Sequence, residues 1–274
     1  MGEPGPAMTP VLTRRRVLIA VSPAVLIAVV AVAGPFLAPH PVDHPVGIAF
    51  EKPGGGAWLG GDRLGRDVTS QLLHGGWGLL VLAAIIAGLV TTCAAVLGST
   101  AALHPRAGAW IERAADLCML LPPVLAILLF MLSWPESGTA GLITVAVVAG
   151  TPYSARVFAA AASGVARAGF VEAARARGER LGYLVLRELL PNLRHTLLTQ
   201  LGLRFVEAIY IVSTVSFLQL PTSLGAANWA VMVRENAPGI LLNPAAVLAP
   251  SLAIGLLAVS VNTAVAAFAE ERPS

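Results

Sequence analysis

Long runs without a single charged residue constrain this sequence more than any other feature. One covers residues 75–102 and another covers residues 17–37. Each is long enough to cross the hydrocarbon core of a bilayer, which needs about 20 helical residues. Apolar residues make up 56% of the 274 residues and charged residues 12%, against about 50% and 25% in soluble domains. The sequence therefore predicts an all-α protein that crosses a membrane several times.

Six apolar stretches predict six membrane-spanning helices separated by polar segments. After the first, the spans are expected at 75–102, 117–134, 138–155, 196–218 and 244–268. A long polar segment, residues 156–195, separates the fourth span from the fifth. The predicted organisation is a polar N-terminal segment (1–16), a first span (17–37), an outside segment (38–74), a core of five spans (75–268) and a polar tail (269–274).

Basic residues predict the orientation of these spans, because connections rich in arginine and lysine stay on the cytoplasmic side. With both termini in the cytoplasm, thirteen basic residues, among them Arg14, Arg15 and Arg16, lie inside and four lie outside. We therefore expect cytoplasmic N- and C-termini. A cleaved signal peptide is the alternative for the first apolar run, but that run exceeds the roughly 7–15 apolar residues of such signals.

Several function classes are disfavoured by composition and motifs. The net charge of +3 is spread over short arginine clusters, whereas a nucleic-acid module needs one folded basic face with aromatic or polar readers. The single lysine, Lys52, precedes its glycines, so no phosphate-binding loop is present. His40, Asp43 and His44 are ligand types, but three such residues in a proline-rich loop are weak evidence for a metal site. We expect no nucleic-acid partner and no catalytic, cofactor or metal site.

The polar segment 156–195 contains the most informative pattern. A glutamate near a predicted helix start suits the helix dipole, two alanines permit close packing, and a glycine permits a turn. A leucine-proline pair ends a second helical stretch. The pattern predicts a helix–turn–helix that docks a partner, and the alternative is a solvated loop that only sets topology. The residues concerned are Glu172, Ala173, Ala174, Gly178, Leu190 and Pro191.

These residues resemble the cytoplasmic loop of the membrane-spanning subunits of binding-protein-dependent ABC importers. That loop has Glu-Ala-Ala, a glycine after three further residues, and a later Leu-Pro, and all of these match at the family spacing. Glu188 stands where the general pattern has isoleucine. The resemblance implies the type I ABC importer permease fold. It also implies that the loop is a coupling helix seated in a groove of a cytoplasmic ATPase.

A second stretch, beginning at Trp58, is similar to the dipeptide, oligopeptide and nickel branch of this family, and within it to the second (C-type) permease subunit. The branch pattern is Leu-Gly-Thr-Asp, two residues and Gly-Arg-Asp, and Gly61 replaces the threonine. Val212 stands where members commonly carry a glutamate, and the Gly-Asp that follows the last span in the family is missing. The matching residues are Gly60, Asp62, Gly65, Arg66 and Asp67.

The resemblance implies a pore-forming subunit that imports small peptides across a bacterial cytoplasmic membrane. It implies three kinds of partner: a second permease subunit, ATPase subunits that bind ATP and Mg²⁺, and an extracytoplasmic solute-binding protein. This chain is then not an enzyme. Nickel or a metal chelate is the alternative cargo. Alternatives of a different class are a secondary transporter and a membrane scaffold without ATPase partners.

Two charged residues fall inside the fifth predicted span. Arg204 and Glu207 are three residues apart, so they share one helical face. Each costs about 2.5–3.5 kcal/mol at the bilayer centre, and such residues face the protein interior. We expect them either to pair with each other or with a partner subunit, or to contact substrate.

Overall fold

The computed structural model describes residues 10–54, 56–120, 122–220 and 227–270, so the predicted polar ends lie partly outside the described residues. The described chain is helical, with isolated β-bridges in the loop that follows the first helix. This confirms the all-α prediction for the part described. The helices are α1 (Pro10–Leu37), α2 (Val68–Leu103), α3 (Pro105–Leu120), α4 (Pro123–Ser133), α5 (Gly138–Val165), α6 (Gly169–Ala176), α7 (Leu181–Tyr183), α8 (Arg194–Phe217), α9 (Trp229–Asn236) and α10 (Ala245–Glu270).

Each of the six predicted spans coincides with helical structure. Four helical stretches in the described residues are long and apolar enough to cross a membrane, and the bent pair of α3 and α4 brings the number to five. Helix α1 is apolar over Val21–Leu37, which is shorter than those stretches. The multispanning architecture is thus confirmed, and the sixth span stays a prediction. The four stretches are Val68–Leu103, Pro135–Val165, Leu181–Phe217 and Ala245–Ala267.

The third span differs from the continuous helix predicted over residues 117–134. Helix α3 ends at Leu120 and α4 begins at Pro123, with a bend of 79° between the two. Proline lacks an N–H and disfavours helical backbone in the residue before it, so Pro122 and Pro123 interrupt the helix. The residues predicted to form a polar connection before this span, 104–116, lie mostly in α3.

The polar segment 156–195 begins inside a helix. Helix α5 continues to Val165, ten residues beyond the predicted end of the fourth span at Ala155. The added residues include four consecutive alanines, which favour helix strongly. Arg156, which suggested the end of the span, instead donates to the carboxylate of Asp116 on α3 at 3.1 Å. Charge alone therefore does not locate the end of this helix.

One compact unit comprises Met1–Leu80 and Ala226–Ser274. In it α1 packs against α10, and α10 packs against α9. Asn228 begins α9 by accepting a hydrogen bond from the Ala230 amide at 2.9 Å, which satisfies one free donor of the helix start. The indole of Trp229 donates to the Leu72 carbonyl of α2 at 2.7 Å. The Trp229 bond joins the start of α2 to α9.

The second unit comprises Val81–Gly225. Helix α5 packs against α3, α4 and α8. Phe158 of α5 is fully buried in an apolar cluster that α2, α5, α6 and the start of α8 share. This cluster is the core that supports the polar segment. Its buried members are Ala94, Ala95, Leu103, Ala155, Phe158, Ala162, Ala166, Val171, Ala174, Leu184, Val185, Leu189 and Leu193.

Two glycines of α2 provide a matched test of this packing. A Cβ on Gly98 would overlap the Ala155 carbonyl oxygen and lie 2.8 Å from the Ala159 nitrogen, whereas a Cβ on Gly88 meets nothing within 4 Å. We expect Gly98→Ala to destabilise the protein by about 2 kcal/mol through overpacking. Gly88→Ala should leave the thermal unfolding midpoint in detergent unchanged or slightly higher. Equal midpoints for the two variants would contradict the close approach of α2 and α5.

Candidate functional site

The first candidate site is the helix–glycine–helix segment, residues 169–193. Its first helix, α6, buries Val171 and Ala174 in the apolar cluster of the second unit. Arg175 donates to the Leu103 carbonyl at 3.4 Å, where the C-terminus of α2 leaves carbonyl groups without helical partners. Phe170, Glu172, Ala173 and the other intervening positions are exposed. Helix α6 is therefore fixed along one face and open along the other.

Gly178 ends α6 in a left-handed conformation, with φ of +80°. The Glu179 amide donates to the Ala174 carbonyl at 3.2 Å, and the Gly178 amide donates to the Arg175 carbonyl at 2.9 Å. These two bonds define a Schellman motif, which favours glycine at this position. The structure thus confirms the predicted short helix ended by glycine.

The second half of the segment is an irregular helical run that continues into α8. Helix α7 is followed by a π turn, Leu184–Leu189, and a 3₁₀ turn, Leu190–Leu193. Pro191 lacks an N–H, so the regular α-helical pattern cannot pass through it. The prediction that Pro191 ends the second helical stretch is wrong, because the chain continues from the 3₁₀ turn into α8 without a break.

Large side chains of this segment are exposed. Phe170, Tyr183 and Leu186 are each at least two-fifths exposed. They lie on elements whose opposite sides are anchored in the core by Val171 and Leu189. An apolar surface on a rigid base is typical of a site for protein contact.

The second candidate site surrounds Asp62 in the first unit. Asp62 is 1% exposed, and its carboxylate accepts four hydrogen bonds. The donors are the Leu64 amide (2.7 Å), the Arg66 amide (2.8 Å), Arg66 Nε (2.8 Å) and Gln71 Nε2 (2.7 Å). A buried carboxylate needs such compensation for its lost hydration. Asp62 therefore organises the loop around itself.

Ion pairs connect this loop to α9. Glu235 accepts from Arg63 Nε at 3.1 Å and lies 3.9 Å from Arg66 Nη2. The Arg63 amide also donates to the Asn236 side chain at 2.9 Å. Further along, the buried Asn243 side chain donates to the Leu59 and Gly61 carbonyls, both at 2.9 Å. The sequence offered no signal for these contacts, because the partners lie more than 170 positions apart.

The two matching glycines of this motif have a backbone role. Gly60 and Gly65 have φ of +76° and +74°, a region that other residues rarely adopt. A Cβ on Gly60 would overlap the Glu51 carbonyl oxygen, and one on Gly65 would overlap that of Gly47. Both positions thus permit close approach within the loop.

Asp67 caps the start of α2. Its carboxylate accepts from the Thr69 amide (3.0 Å), the Ser70 amide (3.1 Å) and the Ser70 hydroxyl (2.6 Å), and His40 Nδ1 lies 3.3 Å away. Burial alone would raise the pKa of Asp67, but these hydrogen bonds outweigh it and lower the pKa below its usual range. The Gly-Arg-Asp motif therefore has a structural role in this unit, where it stabilises the loop and the start of α2.

His40 takes part in this cap. Among the described residues, no three histidine, cysteine or carboxylate side chains lie close enough to hold a metal ion. Asp43 is 92% exposed and lies 3.9 Å from Arg66.

The charged pair of the fifth span is formed within the second unit. Arg204 Nη1 and Glu207 Oε2 make a direct ion pair on α8. The Arg204 guanidinium carbon lies 5.6 Å from the centre of the Tyr153 ring on α5, within the range of a cation–π contact. A cavity with room for about one water molecule adjoins the pair. The pair is therefore partly buried beside Tyr153 of α5, with little free space in the adjoining cavity.

An all-α chain with several apolar spans and a polar segment anchored to their core is a polytopic membrane protein. Residues 94–271 match the family described as "Binding-protein-dependent transport system inner membrane component". The chain belongs to this family.

Two relatives of this chain have names that refer to peptides. The chain is 34% identical to a "putative peptide permease protein" of Brucella ovis over 65% of its own length. It is 29% identical to the "Dipeptide transport system permease protein DppC" of Bacillus subtilis over 78% of its length and 67% of the relative's. The matched region spans 59% of the length of the Brucella ovis protein.

The cap at Asp67 predicts a pH-dependent contribution to stability. Because its folded pKa is depressed, the carboxylate stabilises the fold above the unfolded pKa of about 3.9 and loses this effect as pH falls through the folded pKa. We expect Asp67→Ala to lower stability by about 1 kcal/mol at neutral pH. The deficit should shrink in acid, as measured by thermal unfolding in detergent from pH 7 to 3. Asp43→Ala, at an exposed carboxylate of the same loop, is the control and should change little. A deficit independent of pH would contradict the role of the charge.

The ion pair on α8 predicts that substitutions of Arg204 and Glu207 have non-additive effects on the accumulation of the protein. Glu207→Ala leaves the partly buried Arg204 guanidinium without its carboxylate, and an unpaired charge among apolar helices destabilises the protein. Replacing both residues by alanine removes the stranded charge, so the double variant should accumulate in the membrane better than the single one. Quantitative blotting of membrane fractions measures this. A double variant that is clearly the worse of the two would show that each residue has a separate partner.

Proposed function

We propose that this chain is a pore-forming permease subunit of an ABC importer that moves small peptides across the bacterial cytoplasmic membrane. Membership of the inner membrane component family supports the transport role. The names of the relatives, a peptide permease and a dipeptide transport permease, support peptides over nickel or a metal chelate. The family also favours this role over a secondary transporter or a scaffold.

The observation that carries the proposal is the two-faced helix–glycine–helix segment. Val171 and Ala174 anchor it in the core, while Phe170, Glu172 and Ala173 are free to contact another protein. The proposed partner is a cytoplasmic ATPase subunit. ATP and Mg²⁺ would bind to that subunit and not to this chain. A second permease subunit and an extracytoplasmic solute-binding protein complete the proposed importer.

The packing of this segment supports a mechanism of coupling. The segment runs directly into α8, and its buried residues share one core with Phe158 of α5 and Leu103 of α2. A displacement of α6 by the ATPase would therefore move these helix ends together, since close-packed cores transmit strain. In the proposed cycle, ATP binding moves the segment and switches the bundle from inward-facing to outward-facing.

The proposed orientation places both termini and the helix–glycine–helix segment in the cytoplasm. The distribution of arginines supports it, because residues 156–195 carry seven of them. The loop around Asp62 would then lie outside, on the side of the solute-binding protein.

Two glycines of the segment test the coupling role. A Cβ on Gly178 or on Gly182 meets nothing within 4 Å, but only Gly178 has a positive φ. Gly178→Ala therefore disturbs the turn at a cost of about 1 kcal/mol without a clash, and Gly182→Ala is the matched control. We expect Gly178→Ala to accumulate normally and to lose part of its ATP-driven peptide uptake and its retention of the ATPase subunit. Gly182→Ala should behave as wild type.

Glu172→Lys tests the exposed face directly. It places a positive charge in the first turn of α6, where the helix dipole favours a negative one, and it reverses a contact charge. The expected result is an intact membrane protein from which the ATPase subunit dissociates. Full uptake and ATPase retention in both Glu172→Lys and Gly178→Ala would contradict the coupling assignment.

A further inference from the structure

Helix α3 presents an exposed stripe that the transport proposal does not use. Arg106, Trp110, Arg113, Leu117 and Leu120 recur at spacings of three and four residues. At 100° per residue they fall within an arc of roughly 80°. All five are exposed, with Trp110 at 70%, Leu117 at 66% and Leu120 at 76%. The stripe is therefore a continuous surface along one side of the helix.

The opposite side of α3 is fixed to the second unit. Ala115 is fully buried, and Ile111 packs against the apolar cluster. Asp116, on the flank of the stripe, pairs with Arg156 of α5. Helix α3 cannot rotate to bury the stripe without breaking these contacts.

The charges of the stripe are all positive. Among the described side chains, no carboxylate pairs with Arg106 or Arg113. The Arg113 guanidinium carbon lies 5.8 Å from the centre of the Trp110 ring, which orients both groups by a cation–π contact. Both arginines are thus available to an anion.

The composition of the stripe changes along the helix. Arg106 lies near its start, Trp110 and Arg113 lie in the middle, and Leu117 and Leu120 lie at the end that leads to α4. The distance from first to last is about 21 Å at 1.5 Å per residue. Cationic, aromatic and aliphatic groups in this order match the headgroup, interface and acyl region of a lipid leaflet.

We propose that this stripe binds an anionic phospholipid, with the lipid phosphate at Arg106 and Arg113 and the acyl chains against Leu117 and Leu120. Arginine forms charge-assisted hydrogen bonds with phosphate oxygens, and the unpaired charges favour anionic over zwitterionic headgroups. The site goes beyond the proposed function, because it depends on neither the transported substrate nor the ATPase.

Selective quenching of Trp110 tests the proposal. The full chain, purified with its copurifying subunits, is reconstituted into phosphatidylcholine vesicles that contain a minor fraction of phosphatidylglycerol. In parallel samples, equal amounts of brominated acyl chains are carried either by phosphatidylglycerol or by phosphatidylcholine. The contribution of Trp110 to the fluorescence is obtained by subtracting the signal of the Trp110→Phe variant. We expect quenching by brominated phosphatidylglycerol to exceed that by brominated phosphatidylcholine by at least about threefold.

Arginine variants identify the origin of the preference. The double variant Arg106→Gln and Arg113→Gln should bring the quenching ratio close to one, and replacement of both by lysine should retain a preference. Arg167→Gln with Arg194→Gln removes the same charge from exposed positions of this unit that lie outside the helix–glycine–helix segment and should leave the ratio unchanged.

Three results would overturn the proposal. Equal quenching of wild-type Trp110 by the two lipids would show that the stripe meets lipid without selecting its charge. No quenching by either would show that another protein subunit covers it. An equal fall of the ratio in the control variant would show a general effect of net charge. Peptide uptake does not enter the readout, so failure here leaves the transport proposal standing.

Discussion

Hydrocarbon offers no hydrogen bonds, so every polar group that this chain carries into the bilayer needs a partner from the chain itself or from another subunit. Helices meet this requirement for the backbone. Among the side chains, Arg204 and Glu207 meet it by pairing on α8 under the Tyr153 ring. The same need appears in the loop before α2, where the buried carboxylate of Asp62 has four donors. In both places the charged side chains hold structure together.

Much of the fold could be predicted from the sequence because the bilayer imposes a simple rule of length and polarity. All six predicted spans coincide with helices, and the glycine-terminated helix before Gly178 follows from local chemistry alone. The break between α3 and α4 was harder to predict, since residues 117–134 are uniformly apolar and only the proline pair signals it. The end of α5 was misplaced because Arg156 continues the helix and pairs with Asp116.

The candidate sites were predictable only in part. The resemblance to a family motif points to Asp62, Arg66 and Asp67. Neither their spacing nor their charge indicates that they stabilise a loop. The contacts of Glu235 and Asn243 cannot be predicted in this way, because one sequence holds no information on which distant residues meet. The burial of Ala115, which one sequence does not reveal, shows which side of α3 is free.

The helix–glycine–helix segment combines an irregular backbone with a dense core. Between α6 and α8 the chain passes through a π turn and a 3₁₀ turn, which are poorer in regular hydrogen bonds than an α-helix. This stretch would be flexible if backbone hydrogen bonds alone held it. Leu184, Leu189 and Leu193 are buried through this stretch and share the cluster that holds α6. Side-chain packing, in addition to the helical hydrogen-bond pattern, therefore holds this segment, and α6 is connected to α8 through the core as well as along the chain.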